Sequence, residues 1–376
     1  MIDRRRFLAG SLAASFAAAC GSRKDTGATP VSTPEPKQTA KPAPKSILIL
    51  GGTGFLGPHV VTAAQARGHT LTLFNRGKTH PGLFPDVEKL QGDRDGKLDA
   101  LKGRTWDAVV DTSGYVPRIV KMSAELLAPS VKQYIFISTI SVYDADKIPN
   151  ADETAPLLTL ADPTTEAVRE NYGALKAACE AAAEAALPGR VANIRPGLII
   201  GPGDPTGRFS HWPTRMAEGG EVLAPGDGST PVQYVDGRDL GNWIVRVIED
   251  GTMGIYNALG PETRVTMKDA LDACNKAAGN KATLTWVSND FLTKQNVSGW
   301  SDMPMWIDLS DMPGFGTMVN KRAVGKGLTF RPLEDTAKDT LAWLDTLPAD
   351  EKAKARSSGI KRDKEEAVLA AWKAKK

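Results

Sequence analysis

The chain has 376 residues, 41% hydrophobic and 24% charged, which is ample for a folded core of one large or two modest domains and ordinary for a globular protein. Its formal charge of +3 is misleading. Residues 1–45 carry eight Lys/Arg against three acids, so the remainder is net −2 and argues against nucleic acid as the main partner.

The N-terminus reads as a signal peptide over residues 1–20. It has a basic "DRRR", an apolar run from Phe7 to Ala19 too short to span a bilayer comfortably, and small residues before Cys20. "RRRFL" (4–8) fits the twin-arginine pattern, so the twin-arginine export machinery is an expected partner and the periplasm or cell envelope the expected location. "AAAC" makes Cys20 a candidate for lipidation and a lipid anchor, although "AAA" also suits ordinary signal peptidase. Residues 21–45, rich in Pro, Thr, Ala and Lys, read as a disordered tether. Cys179 and Cys274 read as buried small hydrophobes, and the four scattered histidines offer no metal-ligand spacing.

From residue 46 to 197, β-branched runs alternate with helical patterns. The strands are expected at 46–50, 70–74, 108–112, 133–138 and 190–195, with helices over 57–67 and 117–128. That alternation predicts an α/β fold, a doubly wound parallel sheet of the Rossmann type. Gly51, Gly54 and Gly57, with Phe55 and Leu56 between them, form GxxGxxG directly after the first strand and open a helix. Such a turn holds the pyrophosphate of a dinucleotide at the helix N-terminus. The second strand ends "LFNRG": Asn75 and Arg76 stand where an NAD-selective site would place an acid. Arg76 therefore points to NADP over NAD, or else stacks on adenine. Asp93 in "QGD" follows the third strand and either accepts from the adenine amino group or caps a turn. Ser113, just after "AVVDT", is a further candidate cofactor contact.

"NYGALK" places Tyr172 and Lys176 on one helical face, where an ammonium beside the phenol is expected to lower its pKa and make Tyr172 an acid/base. "FISTISVY" upstream supplies Ser138, Thr139 and Ser141, hydroxyls suited to the same substrate oxygen.

With "GGTGFLG", "STISVY", "YGALK" and "IRPGLIIGPGD" in this order, residues 46–345 resemble an extended short-chain dehydrogenase/reductase of the NAD-dependent epimerase/dehydratase superfamily. The resemblance implies a catalytic triad of Thr139, Tyr172 and Lys176. It also implies a nicotinamide pocket lined by Arg195, Pro196 and Gly197, and a tightly bound cofactor. Asp236 and Arg238 of "VQYVDGRDL" would help to close the substrate cleft. Residues 206–215, with Arg208, His211 and Trp212, would contact a sugar or nucleotide or simply pack as a loop. A homodimer is implied on the same ground. Ile140 and Ser141 replace the Asp-Glu pair of the dehydratases, so dehydration is disfavoured.

A smaller C-terminal lobe is expected over 198–348, its strands partly rejoining the sheet, with helices at 239–250 and 267–278 and a charged helix or tail over 349–376. Trp300, Met303, Met305 and Trp306 could floor a sugar site or serve as core. A protein exported already folded could carry its cofactor inside. The expected activity is therefore epimerisation of a sugar or sugar-like substrate, with the hydride removed and returned. A net reductase or dehydrogenase and a non-catalytic nucleotide-binding relative are the alternatives.

Overall fold

The computed structural model describes residues 42–144 and 147–375. The expected signal peptide, Cys20 and all of the tether before residue 42 lie outside the described residues.

The first half alternates as the sequence pattern requires. Its elements are β1 (Ser46–Leu50), α1 (Leu56–Ala66), β2 (Thr70–Asn75), β3 (Glu88–Gln91), β4 (Trp106–Asp111), α2 (Pro117–Leu127), β5 (Val131–Ile137), α3 (Tyr172–Ala186) and β6 (Val191–Pro196). "SILIL" has no polar alternation because β1 is buried on both faces. Ile47 and Ile49 join the core beneath α1, while Leu48 and Leu50 join the core beneath α2 and α3.

The second half contains β7 (Leu198–Ile200), α4 (His211–Glu218), β8 (Gly220–Pro225), β9 (Pro231–Asp236), α5 (Gly237–Glu249) and β10 (Gly254–Ala258). It continues through β11 (Gly260–Thr266), α6 (Met267–Ala277), β12 (Ala282–Val287), α7 (Asn289–Lys294), α8 (Lys321–Gly325), α9 (Leu333–Thr346), α10 (Ala349–Ala355) and α11 (Arg362–Ala374). The main sheet has seven parallel strands in the order β10-β6-β5-β4-β1-β2-β3. The order reverses direction between β1 and β4, and at that switch point the loops following the two strands diverge and leave a crevice. Strand β10 returns from the second half to pair with β6. The remaining strands form a β11-β9-β7 sheet and a β12-β8 pair around a separate apolar core.

Helix α11 lies within the charged C-terminal helix or tail expected over 349–376. Apart from Glu365 its charges are solvent-facing, while Val368 and Leu369 are buried in the second core. The buried Glu365 carboxylate accepts from Arg215 Nε of α4 at 2.8 Å and from the Leu223 amide of β8 at 3.0 Å.

A second buried pair ties β6 to α3. Arg195 is 1% exposed and donates to both oxygens of Glu180, at 2.8 and 2.5 Å, and to the Tyr143 hydroxyl at 2.5 Å. Removing one partner strands the other charge in a low-dielectric interior. We expect Glu180→Ala to cost about 3–5 kcal/mol in urea denaturation, and the Glu180→Leu/Arg195→Met double variant to recover most of that loss.

Candidate active site

The glycine turn at the end of β1 is built by close approach. Gly51 has φ +94°, and a Cβ there would sit 2.7 Å from the Thr112 hydroxyl. A Cβ on Gly57 would lie 2.6 Å from the Gly52 carbonyl carbon, so the third glycine is what seats α1 against the turn. Gly54 faces the cleft, and its nearest neighbour to an added Cβ is 3.8 Å away. Helix α1 has no side-chain cap at Phe55 and no acid in its first turn. Its leading N–H groups and positive dipole end thus face the cleft without a competing carboxylate, as a pyrophosphate requires. Gly51, Gly54, Phe55, Leu56 and Gly57 all line this cleft, whose volume is about 480 Å³.

On one side the cleft continues into a recess of about 340 Å³ bordered by Asn75, Arg76, Lys78, Asp93 and Ser113. Asn75 accepts from the Gly77 amide at 2.9 Å and shapes the turn after β2. Arg76 and Lys78 are both exposed, and among the described residues neither side chain is in an ion pair. Lys78 was not among the expected contacts, although it sits in the same "NRGK" turn. Asp93 accepts from the Asp95 amide at 3.1 Å, which is the turn-capping role, while still bordering the recess. Ser113 is placed by the fully buried Asp111, which accepts from the Ser113 amide at 3.1 Å, from both Arg94 terminal nitrogens at 2.6 Å and from Tyr134 at 2.8 Å. The residues present therefore fit a dinucleotide along the C-terminal edge of the sheet.

The reacting centre lies where β5 ends. Thr139 caps a short turn by accepting from the Ser141 amide at 3.1 Å, and its hydroxyl lies 3.2 Å from that of Ser141. Helix α3 can press onto this turn because residue 173 is glycine: a Cβ there would fall 1.9 Å from the Ser141 carbonyl oxygen. That approach brings Tyr172 beside Thr139, with the Tyr172 ring 37% exposed to the cleft. One turn on, Lys176 is 3% exposed and donates to the carbonyls of Gly114 at 2.7 Å and Ile137 at 2.6 Å. Its third N–H remains for a hydroxyl in the cleft that it lines.

The expected depression of the tyrosine pKa is corrected here. Burial raises the Tyr172 phenol above its usual value, with Tyr115 adding to the rise, and the Thr139 hydroxyl and Arg208 only partly offset it. Burial also pushes Lys176 down to about 8, and its ammonium is committed to backbone carbonyls. Tyr172 is therefore a protonated donor at neutral pH, suited to delivering a proton to a substrate oxygen.

Several expected residues fall elsewhere. Pro196 and Gly197 line the cleft, but Arg195 points into the core pair with Glu180. Trp212 is 1% exposed, and its indole donates to the Pro304 carbonyl at 2.7 Å. His211 packs under Gly359, and burial pushes its pKa down to about 4. Neither lines the cleft, because both sit in helix α4 and are buried by its packing. Arg238 donates to Asp236 at 2.9 and 2.7 Å and also pairs with Asp339, clamping α5 to α9 instead of closing the substrate cleft. Arg208 does line the cleft, as does Trp300, while Met303 and Trp306 belong to the core. Thr206, within the expected 206–215 contact stretch, and Asp204, at the end of "IRPGLIIGPGD", line it too, as does Tyr115, which was not among the expected contacts.

The sheet order, the glycine turn and the Thr139–Tyr172–Lys176 cluster together form a Rossmann-type fold with a cleft at its switch point. Residues 47–258 match the pattern of the NAD dependent epimerase/dehydratase family, and the chain belongs to that family. It is 30% identical over 257 residues to the chloroplast stem-loop binding protein of 41 kDa b of Arabidopsis thaliana, covering 62% of this chain and 64% of that one, just under two thirds of the relative's length. It is 24% identical over 254 residues to the bifunctional pinoresinol-lariciresinol reductase of Linum perenne, covering 63% of this chain and 76% of that one. Among solved structures, the Bordetella bronchiseptica enzyme WbmH in complex with NAD+ superposes with TM-score 0.58 at 18% identity, over 80% of this chain and 99% of that one. UDP-glucuronic acid 4-epimerase from Bacillus cereus in complex with NAD superposes with TM-score 0.57 at 17% identity, over 79% and 98%. These likenesses show the shared fold.

The depressed Lys176 pKa has a measurable sign. Between about pH 8 and the ordinary lysine value of 10.5, the unfolded chain holds a proton that the folded chain has released. Stability from this group therefore rises with pH in that window, by at most about 1.4 kcal/mol per pH unit. We expect the stability difference between wild type and Lys176→Met to shift in favour of wild type between pH 8 and 10 in urea melts of cofactor-free protein.

Proposed function

We propose that the protein is an NAD(P)-dependent epimerase or internal oxidoreductase, with Tyr172 moving the proton of a carbinol oxygen. The observation that carries this reading is the convergence of Tyr172, Thr139 and Lys176 on the cleft that the uncapped end of α1 enters. When bound there, a nicotinamide dinucleotide supplies reversible storage of one hydride. Gly51, Gly54 and the first turn of α1 bind its pyrophosphate, and Lys176 offers its remaining N–H to a ribose hydroxyl. Thr139 and Ser141 hold the substrate oxygen. Tyr172 donates its phenolic proton to that oxygen when a carbonyl is reduced, and the phenolate this leaves takes the proton back when the alcohol is oxidised. Ile140 follows Thr139 and offers no acid/base group, so no second proton is delivered as a dehydration would need. A roomy pocket beyond Tyr172 gives the carbonyl intermediate space to present its other face.

Arg76 and Lys78 at the far recess support NADP over NAD, since two unpaired cations suit a ribose 2′-phosphate. "RRRFL" and "AAAC" support export with the cofactor already inside and anchoring through Cys20. Enclosure of the dinucleotide and return of the hydride fit together, because no external cofactor need be found. A net reductase is the second reading, favoured by the reductase name of the Linum relative. The name of the Arabidopsis relative raises a non-catalytic reading. The intact Thr139–Tyr172–Lys176 cluster and the net −2 body oppose it.

Protein purified without added cofactor, then denatured, is expected to release close to one dinucleotide per chain, identified by mass as NADP. An empty protein overturns the enclosed-cofactor reading. Tyr172→Phe is expected to retain that nucleotide and lose about 10²–10⁴-fold in turnover. Unchanged turnover would remove Tyr172 from the chemistry.

A further inference from the structure

Beyond Tyr172 the cleft opens into a second chamber of about 680 Å³. Its wall is mainly Leu198, Trp300, Met305, Met312, Phe315 and Met318. Trp300 and Met305 both hold positive φ, +62° and +67°, an unfavourable backbone for such side chains. The Trp300 ring stands edge-on to Phe315, with centroids 5.9 Å apart. Polar groups in the wall are mostly engaged elsewhere. Gln233 donates to the Met318 carbonyl at 2.8 Å and accepts from its amide at 2.9 Å, and Asp144 is paired with Lys147 at 2.8 Å.

Arg208 is the exception. Its guanidinium lies over the Trp300 ring, 5.1 Å from the centroid. Nε donates to the Thr206 hydroxyl at 3.2 Å, and Thr206 in turn donates to the buried Asp204 at 2.7 Å, which fixes the fork. Among the described residues, no carboxylate pairs with Arg208 and neither terminal nitrogen donates to a protein group. A cation held rigid, lined up on an aromatic ring and left with its two outward donors free matches one planar anion bidentately. A sugar diphosphate brings at least two charges and many hydroxyls, and a hydrocarbon wall with one free cation would desolvate most of them without replacement.

We infer that this chamber takes a hydroxy or keto acid with an apolar or aromatic body, its single carboxylate on Arg208 and its carbinol or carbonyl oxygen at Tyr172. The body lies against Trp300, Phe315 and the methionines, whose flexible thioethers adapt to its shape. This rests on the proposed hydride chemistry at Tyr172 and replaces the sugar expected from the sequence with a different substrate class. Arg208 also acts electrostatically on the Tyr172 phenol, consistent with a carboxylate bound close to the reacting oxygen.

The test uses the full chain and three probes in calorimetric titration: 2-naphthoate, 2-naphthalenemethanol and UDP-glucose. The acid is expected to bind at least about tenfold tighter than the neutral alcohol, the worth of a charge-assisted hydrogen bond, and tighter than UDP-glucose. Arg208→Gln should bring the acid to the affinity of the alcohol. Trp300→Ala should weaken both aromatic probes alike. Each variant is accepted only if it keeps the wild-type melting temperature and dinucleotide affinity, and Arg208→Lys serves as a milder substitution. Tighter binding of UDP-glucose, equal affinity for acid and alcohol, no binding of either aromatic probe, or an acid preference that survives Arg208→Gln overturns the inference. Dinucleotide binding is titrated in the same samples. Its absence alongside tight naphthoate binding would overturn the proposed function and leave the acid site standing.

Discussion

One buried ammonium ties the reacting centre together. Lys176 leaves α3 and donates to the carbonyl that follows β4 and to the last residue of β5, so three elements meet on one nitrogen. The bond count explains both of its costs and its use. Burial pushes its pKa down to about 8, yet two carbonyls keep it positioned, and the position fixes the face of α3 on which Tyr172 sits. Gly173 completes the arrangement by letting the helix end press onto the Ser141 carbonyl. The phenol, the Thr139 hydroxyl and the phosphate-binding turn then share one cleft because the loops that follow the paired strands β1 and β4 diverge at the switch point.

What could be read in the sequence is what depends on near neighbours. "SILIL" announces a strand buried on both faces. The glycine spacing announces the turn, and Tyr172 with Lys176 announces a shared helical face. The ends of the five sheet strands whose ranges were expected shift by no more than two residues. The misplaced residues have distant partners. Arg195 stands next to a cleft-lining proline, but its guanidinium goes to Glu180 on another element. Arg238 finds Asp339 101 residues away, and Trp212 finds Pro304 92 residues away. The pKa of Tyr172 was misjudged for the same reason, since burial in the cleft and the nearby Tyr115 raise it, and the residue four positions along does not set it.

The Trp/Met-rich segment shows how one stretch serves two ends. Met303 and Trp306 are core residues, Trp300 turns toward the chamber, and Met305 is buried in the same core while also bordering the chamber, the last two on positive-φ backbone. No periodicity separates these roles, because the segment is a loop and its side-chain directions come from individual turns. Asp204 and Thr206 lie within stretches the sequence marks, yet neither takes a role from sequence alone. Their meaning lies in holding Arg208, which is visible only when all three are seen in a row.

The clasp around Glu365 bears on the order of folding. It joins α11 to Arg215 and Leu223, partners 150 and 142 residues earlier in the chain. The pairings of β1 with β2 and of β4 with β5 span far shorter loops, and closing them costs less chain entropy. The nucleotide-binding sheet therefore has the means to form early, while the second core must hold β8 and α4 open until α11 arrives. A chain halted before that helix docks would leave the buried Arg215 guanidinium without its carboxylate and the Leu223 amide without its acceptor.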